Sequence, residues 1–75
     1  METIVINYFY DGRERQRDVR VINTGMEVQY STKVKEFEVT FAINDLGELE
    51  AQNPPQLIDS KLWAAIADGI QKYYE

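Results

Sequence analysis

Residues 3–12 read Thr3-Ile4-Val5-Ile6-Asn7-Tyr8-Phe9-Tyr10-Asp11-Gly12, a run of β-branched and aromatic residues that stops at an Asp-Gly pair. Such side chains fit a pleated, half-buried surface, and Asp-Gly accepts the two consecutive left-handed residues of the tightest hairpin turn. The stretch therefore predicts a strand over about 3–10 and a two-residue turn at Asp11-Gly12. That turn sets Tyr10 opposite Arg13, Tyr8 opposite Arg15, Ile6 opposite Arg17 and Ile4 opposite Val19, and leads into a second strand over about 16–23. A three-residue loop, Asp11-Gly12-Arg13, would instead pair Phe9 with Arg15, so the turn decides which side chains share a face.

Outward from this hairpin the period-two alternation recurs over about 26–31, 36–44 and 48–52. A two-residue turn at Thr24-Gly25 would set Val21 opposite Val28 and Val19 opposite Tyr30. Thr32-Lys33-Val34-Lys35 reads as a looser connection, with no Gly or Pro to set a turn type. At the last turn a two-residue loop would put Ile43 opposite Glu48. The three-residue loop Asp45-Leu46-Gly47, with Gly47 left-handed in a bulge, pairs Ile43 with Leu49 and Phe41 with Ala51. With these turns, Ile4, Ile6, Val19, Val21, Val28, Tyr30, Phe37, Val39, Phe41, Ile43, Leu49 and Ala51 line one face.

The only prolines, Pro54 and Pro55, stand where the pattern changes period. Beyond them Leu62, Ile66, Ile70 and Tyr73 recur at helical spacing, widened by Trp63 and Tyr74, with Asp59 or Ser60 as N-cap of a helix over about 60–74. Gly69 inside this helix costs about 1 kcal/mol relative to Ala and marks a close approach to a neighbour. The expected fold is α+β: one domain, residues 1–75, with a four- to five-stranded antiparallel meander (βββββα or ββββα) covered on one face by the single C-terminal helix. The order of strands followed by one helix resembles, in topology and not in any residue motif, the ββββα domains of the PUR-repeat and Whirly single-strand binders.

Composition narrows the function. The 75 residues carry eight Lys+Arg against thirteen Asp+Glu, a net charge of −5, with no His and no Cys. Zinc sites built on imidazole or thiolate, disulfides, and Ser-His or Cys-His nucleophiles are therefore excluded by inventory. The glycines Gly12, Gly25, Gly47 and Gly69 are isolated, so no phosphate-cradling loop is present. We expect no enzyme activity, no cofactor and no metal. Residues 1–10 lack a basic segment and a cleavage site, and no run approaches the roughly 18 apolar residues of a membrane span. A soluble, cytoplasmic protein without a membrane partner is expected.

Three surfaces stand out. Four of the eight basic residues fall within positions 13–20, and Arg13, Arg15 and Arg17 share a face with Tyr8 and Tyr10, giving a projecting basic, aromatic hairpin tip. An internal role competes with a binding role here: each Tyr–Arg pair shields itself, and Asp11, Glu14 and Asp18 neutralise the arginines. Val5, Phe9 and Ile22 point away from the helix as an apolar interface candidate, and the first strand is an edge free to pair with a second copy. Glu36, Glu38, Glu48 and Glu50 form an outward acidic face. Residues 12–35 hold six basic and three acidic groups, whereas residues 36–50 hold five acidic and none basic, so the net charge conceals a separation along the chain.

The function expected from this is a small non-enzymatic interaction or regulatory protein that binds a still unidentified protein partner, with self-association as a homodimer as a variant. The alternatives are a single-stranded nucleic-acid-binding module using the Tyr/Arg hairpin face, and an acidic inhibitor docking on a basic partner surface. The net negative charge ranks nucleic acid lower, because the long-range field repels a polyanion.

Overall fold

A computed structural model describes residues 2–75. Five strands, β1 (Glu2–Tyr10), β2 (Arg13–Asn23), β3 (Val28–Val34), β4 (Phe37–Ile43) and β5 (Leu49–Gln52), precede one helix, α1 (Ser60–Tyr73). The strands form one antiparallel sheet in the order β1-β2-β3-β4-β5, the expected α+β meander with a C-terminal helix.

Turn chemistry explains the register. Asp11 and Gly12 both hold positive φ, 54° and 74°, and Tyr10 pairs with Arg13 and Ile4 with Val19. Two successive left-handed residues match the right-handed twist of the strands they join, which is why Gly12 is needed there. At the last turn Asn44 N–H donates to the Glu48 carbonyl and Gly47 N–H to the Asn44 carbonyl, which sets Ile43 opposite Leu49 and Phe41 opposite Ala51.

Two connections differ from expectation. Val21 pairs with Tyr30 and Asn23 with Val28, so Thr24-Gly25 is part of a four-residue loop and not a two-residue turn. Thr24 Oγ1 accepts from Met26 and Glu27 N–H, and Asn23 Oδ1 accepts from Gly25 N–H. These local side-chain bonds satisfy the backbone of a longer loop and move the register by two residues, which leaves the faces unchanged. The second difference lies at residues 32–35. β3 runs on to Val34, opposite Phe37, and the chain reverses at Lys35-Glu36 with Lys35 at φ 56°.

The helix packs closest to β1 and β5, the two edge strands, so the curled sheet wraps the helix and the core lies between them. Ile4, Ile6, Val19, Val39, Phe41, Ile66 and Ile70 fill this core. Val28, Phe37 and Ile43 share the helix-side face by register but stay partly exposed at its ends, beyond the reach of a 14-residue helix. Tyr8 and Val34 are buried in their place. On α1, Leu62, Trp63, Ile66, Ala67 and Ile70 are buried, whereas Tyr73 and Tyr74 stay about half exposed and pack edge to face at 4.9 Å. The expected apolar stripe therefore ends one turn early. None of the described helices is long and apolar enough to cross a membrane.

Candidate functional site: an arginine–tyrosine cleft

β2 pairs with β3 only over Arg20–Asn23, so residues 13–19 of β2 pair with β1 alone. Where the ladder parts, Thr32 Oγ1 donates to the Asp18 carbonyl at 2.9 Å and Arg17 Nη1 to the Lys33 carbonyl at 2.6 Å. Side chains thus complete the bonds that the backbone leaves open.

The freed hairpin end does not project as a finger, as its sequence suggests. It curls over the start of the helix, because Tyr8 and Tyr10 stand on the helix-side face and carry large apolar rings. Tyr8 is only 6% exposed. Tyr10 packs against the core, and its hydroxyl donates to Asp59 Oδ2 at 3.0 Å, while Asp59 Oδ1 accepts from Lys61 N–H as the helix N-cap. One carboxylate thereby ties the first hairpin to the start of the helix.

The arginines stack diagonally and not across the rungs. Arg15 lies over the Tyr10 ring at 5.5 Å and Arg17 over the Tyr8 ring at 5.8 Å. Each is also held by its Nε, Arg15 on the Tyr10 carbonyl and Arg17 on the Tyr8 hydroxyl. With Val34, Lys35, Leu57, Ile58, Asp59 and Leu62 these four residues line a cleft of 340 Å³. Arg13 does not line it. Lys35, Leu57 and Asp59 are site residues that the hairpin motif alone does not reveal. The alternation Val28-Tyr30-Thr32-Val34 is the signal that β3 runs far enough to bring Lys35 here.

Among the described residues Asp11, Glu14 and Asp18 form no ion pair with Arg13, Arg15 or Arg17. Glu14 and Asp18 alternate onto the opposite face of β2, and among the described residues the ion pairs are Arg20–Glu38 and Lys72–Asp68. Arg15, Arg17 and Lys35 therefore border the cleft without a carboxylate at ion-pair distance, although the chain has an excess of acids.

The other two candidate surfaces are less concentrated. Val5 and Phe9 are exposed, but they stand four positions apart, about 13 Å along a strand. They border a smaller cleft of 270 Å³ with Asn7, Gly69 and Tyr73. Ile22 lies at the other end of the sheet, beside Glu2 and Val28, and does not join them. The β1 edge is not free at its middle either: Gly69 sits against the Asn7 carbonyl, which points away from β2, so the helix covers the edge there. The four glutamates also divide. Glu38 is held by Arg20 and by the Ser31 hydroxyl, Glu36 stands in a turn, and Glu48 and Glu50 lie at the far end of β5. Among the described residues no three His, Cys, Asp or Glu side chains stand close enough to hold a metal ion.

The Tyr10–Asp59 latch has a pH signature. The Lys61 N–H and then the Tyr10 hydroxyl hold the Asp59 carboxyl below the usual aspartate range, and the bond to Asp59 pushes the Tyr10 phenol above its usual value. A depressed carboxyl contributes stability above the unfolded value near pH 4 and loses it as pH falls through the folded value; a raised phenol contributes below about pH 10 and loses it above. Asp59→Asn keeps an N-capping side chain but does not titrate. Its melting temperature is expected to fall less steeply than that of the wild type between about pH 5 and pH 2. Equal slopes would show that Asp59 is not the titrating latch. Comparison of the chain with protein-family models, with curated proteins and with solved structures yields no match.

Proposed function

We propose that this is a non-enzymatic binding protein that holds an acidic, partly apolar segment of another protein in the arginine–tyrosine cleft. The observation that carries the reading is the set of three cations, Arg15, Arg17 and Lys35, that border one cleft with no carboxylate paired to them. Val34, Leu57, Ile58 and Leu62 supply an apolar lining beside them. Charge at the rim and apolar area within is the composition of a protein-binding contact. The guanidinium groups are oriented in advance by their Nε bonds and by the tyrosine rings, which lowers the entropy lost on binding.

A single-stranded nucleic acid is a poorer fit to the same cleft. Base stacking needs an open aromatic face, whereas Tyr8 is buried and both rings lie beneath arginines. The remaining surface is acidic.

The reading is tested by cross-linked capture from the native host with wild type and with Arg15→Glu/Arg17→Glu. The expected result is loss of at least one prominent captured protein in the variant, which must melt cooperatively to count. Identical captures would remove the reading. A labelled oligonucleotide retarded at low salt by the wild type and not by the variant would replace the protein partner with nucleic acid.

A further inference from the structure

Charge is sorted along the strands. Arg13, Arg15, Arg17, Lys33, Lys35 and Lys61 all stand at the end that carries the β1–β2 turn, the β3–β4 turn and the helix N-terminus, and none of them is in an ion pair among the described residues. Asp11, Glu14, Asp18, Glu36, Glu38 and Asp59 share that end, Glu38 directly opposite Lys33, so the end as a whole is balanced. The cleft itself is positive, with Arg15, Arg17 and Lys35 against Asp59, because Glu14, Asp18 and Glu38 stand on the other face of the sheet. Glu2, Glu27, Asp45, Glu48, Glu50 and Glu75 stand at the opposite end, with the β2–β3 and β4–β5 loops and the helix C-terminus. The cations of that half, Arg20 and Lys72, are taken by Glu38 and Asp68. The helix dipole points the same way, positive at the cleft end and negative at the acidic end.

Each end also presents an apolar side chain among its charges. Leu57 is 96% exposed on the border of the basic cleft, and Leu46 is 82% exposed at the β4–β5 loop between Asp45 and Glu48. From this complementarity we infer that the acidic β4–β5 loop of a second copy of this chain occupies the arginine–tyrosine cleft, so that the protein self-associates head to tail. This names the partner of the cleft and rests on the reading of that cleft as a site for an acidic segment.

The net charge of −5 does not forbid the contact. The long axis is 36 Å, the length of an 11-residue strand such as β2 at about 3.3 Å per residue. Screening at physiological salt acts over about 8 Å, so each end is felt only by what touches it. Because the cleft and the loop lie at opposite ends of the molecule, a head-to-tail contact leaves one cleft and one loop free, and further copies add until a ring closes or the chain of copies stops growing.

Sedimentation of two complementary variants tests this. The wild type is expected to exceed its 8.8 kDa mass at low salt, increasingly with concentration, and to return to it at high salt. Arg15→Glu/Arg17→Glu spoils the cleft and Asp45→Lys/Glu48→Lys spoils the loop, so each alone is expected to stay monomeric. Mixed, they retain one good cleft and one good loop, and form a complex of two chains that grows no further. Arg15→Glu/Lys35→Glu, which spares the Arg17 bonds, serves if the first variant does not fold. A wild type monomeric at every salt and concentration, or a mixture that forms no complex, overturns the inference. In that event a free peptide of residues 44–50 separates the two levels. Shifts at the Arg15 and Arg17 side chains would leave the cleft an acidic-segment site with another partner. Their absence would remove that reading as well.

Discussion

Gly69→Val is expected to destabilise the protein by about 3 kcal/mol, the upper part of the range for forcing methyl groups into a packed site. A Cβ at this position would lie 2.8 Å from the Asn7 carbonyl oxygen, 3.0 Å from Tyr8 Cβ and 3.3 Å from Ile6 Cδ1. The nearest atom is backbone of β1, so no side chain can swing aside and the helix itself must move. Gly69→Ala separates the two opposing effects. Alanine gains about 1 kcal/mol of helix propensity over glycine, yet its single methyl still meets the carbonyl. A net loss is expected from Gly69→Ala, measured by urea unfolding against Ala64→Val on the exposed side of the same helix. A Gly69→Ala protein that unfolds at higher urea would show that the helix is not seated on β1 in this way.

Phe41→Ala is the second substitution with a large expected effect. Phe41 is the largest side chain in the molecule with no exposed surface, and it sits on β4 between Tyr30 of β3 and Ala51 of β5. Truncating a buried Phe costs about 3–5 kcal/mol, from lost transfer energy and from the cavity left behind. A domain of 75 residues has about 4–11 kcal/mol in total. The variant is therefore expected to lose cooperative melting, or to lose most of its urea midpoint. Phe41→Leu, which refills much of the volume, is expected to recover more than half of that loss. A Phe41→Ala protein within 1 kcal/mol of the wild type by the same unfolding measurement would place the core elsewhere.

What was readable in advance can be traced to particular residues. Asp11-Gly12 and the Asp45–Gly47 loop set their registers because their conformations need residues of that kind. The break at Pro54-Pro55 and the spacing of Leu62, Ile66 and Ile70 marked the helix. Thr24-Gly25 misled, since the Thr24 hydroxyl and the Asn23 amide build a longer loop with the same residues. Lys35 was hidden for a different reason. A lysine at φ 56° carries no turn signature, so the end of β3 and the start of β4 looked irregular. Of the candidate site, Tyr8, Tyr10, Arg15 and Arg17 were visible as a hairpin cluster, but their stacking partners were not. Diagonal contacts depend on how the strands twist, and the ladder alone records only which residues are opposite.

By itself the amino-acid order determined the meander, its apolar face, the covering helix and the lack of any imidazole or thiolate, because alternation, turn residues and inventory are local properties. Only the tertiary structure decided that the tyrosines turn inward, that Gly69 seats the helix on the β1 edge, and that Lys35 and Leu57 join the arginines at one cleft. Those outcomes follow from the curl of the sheet around the helix, which brings residues 8–17, 35 and 57–62 together across the chain. No local pattern encodes that curvature.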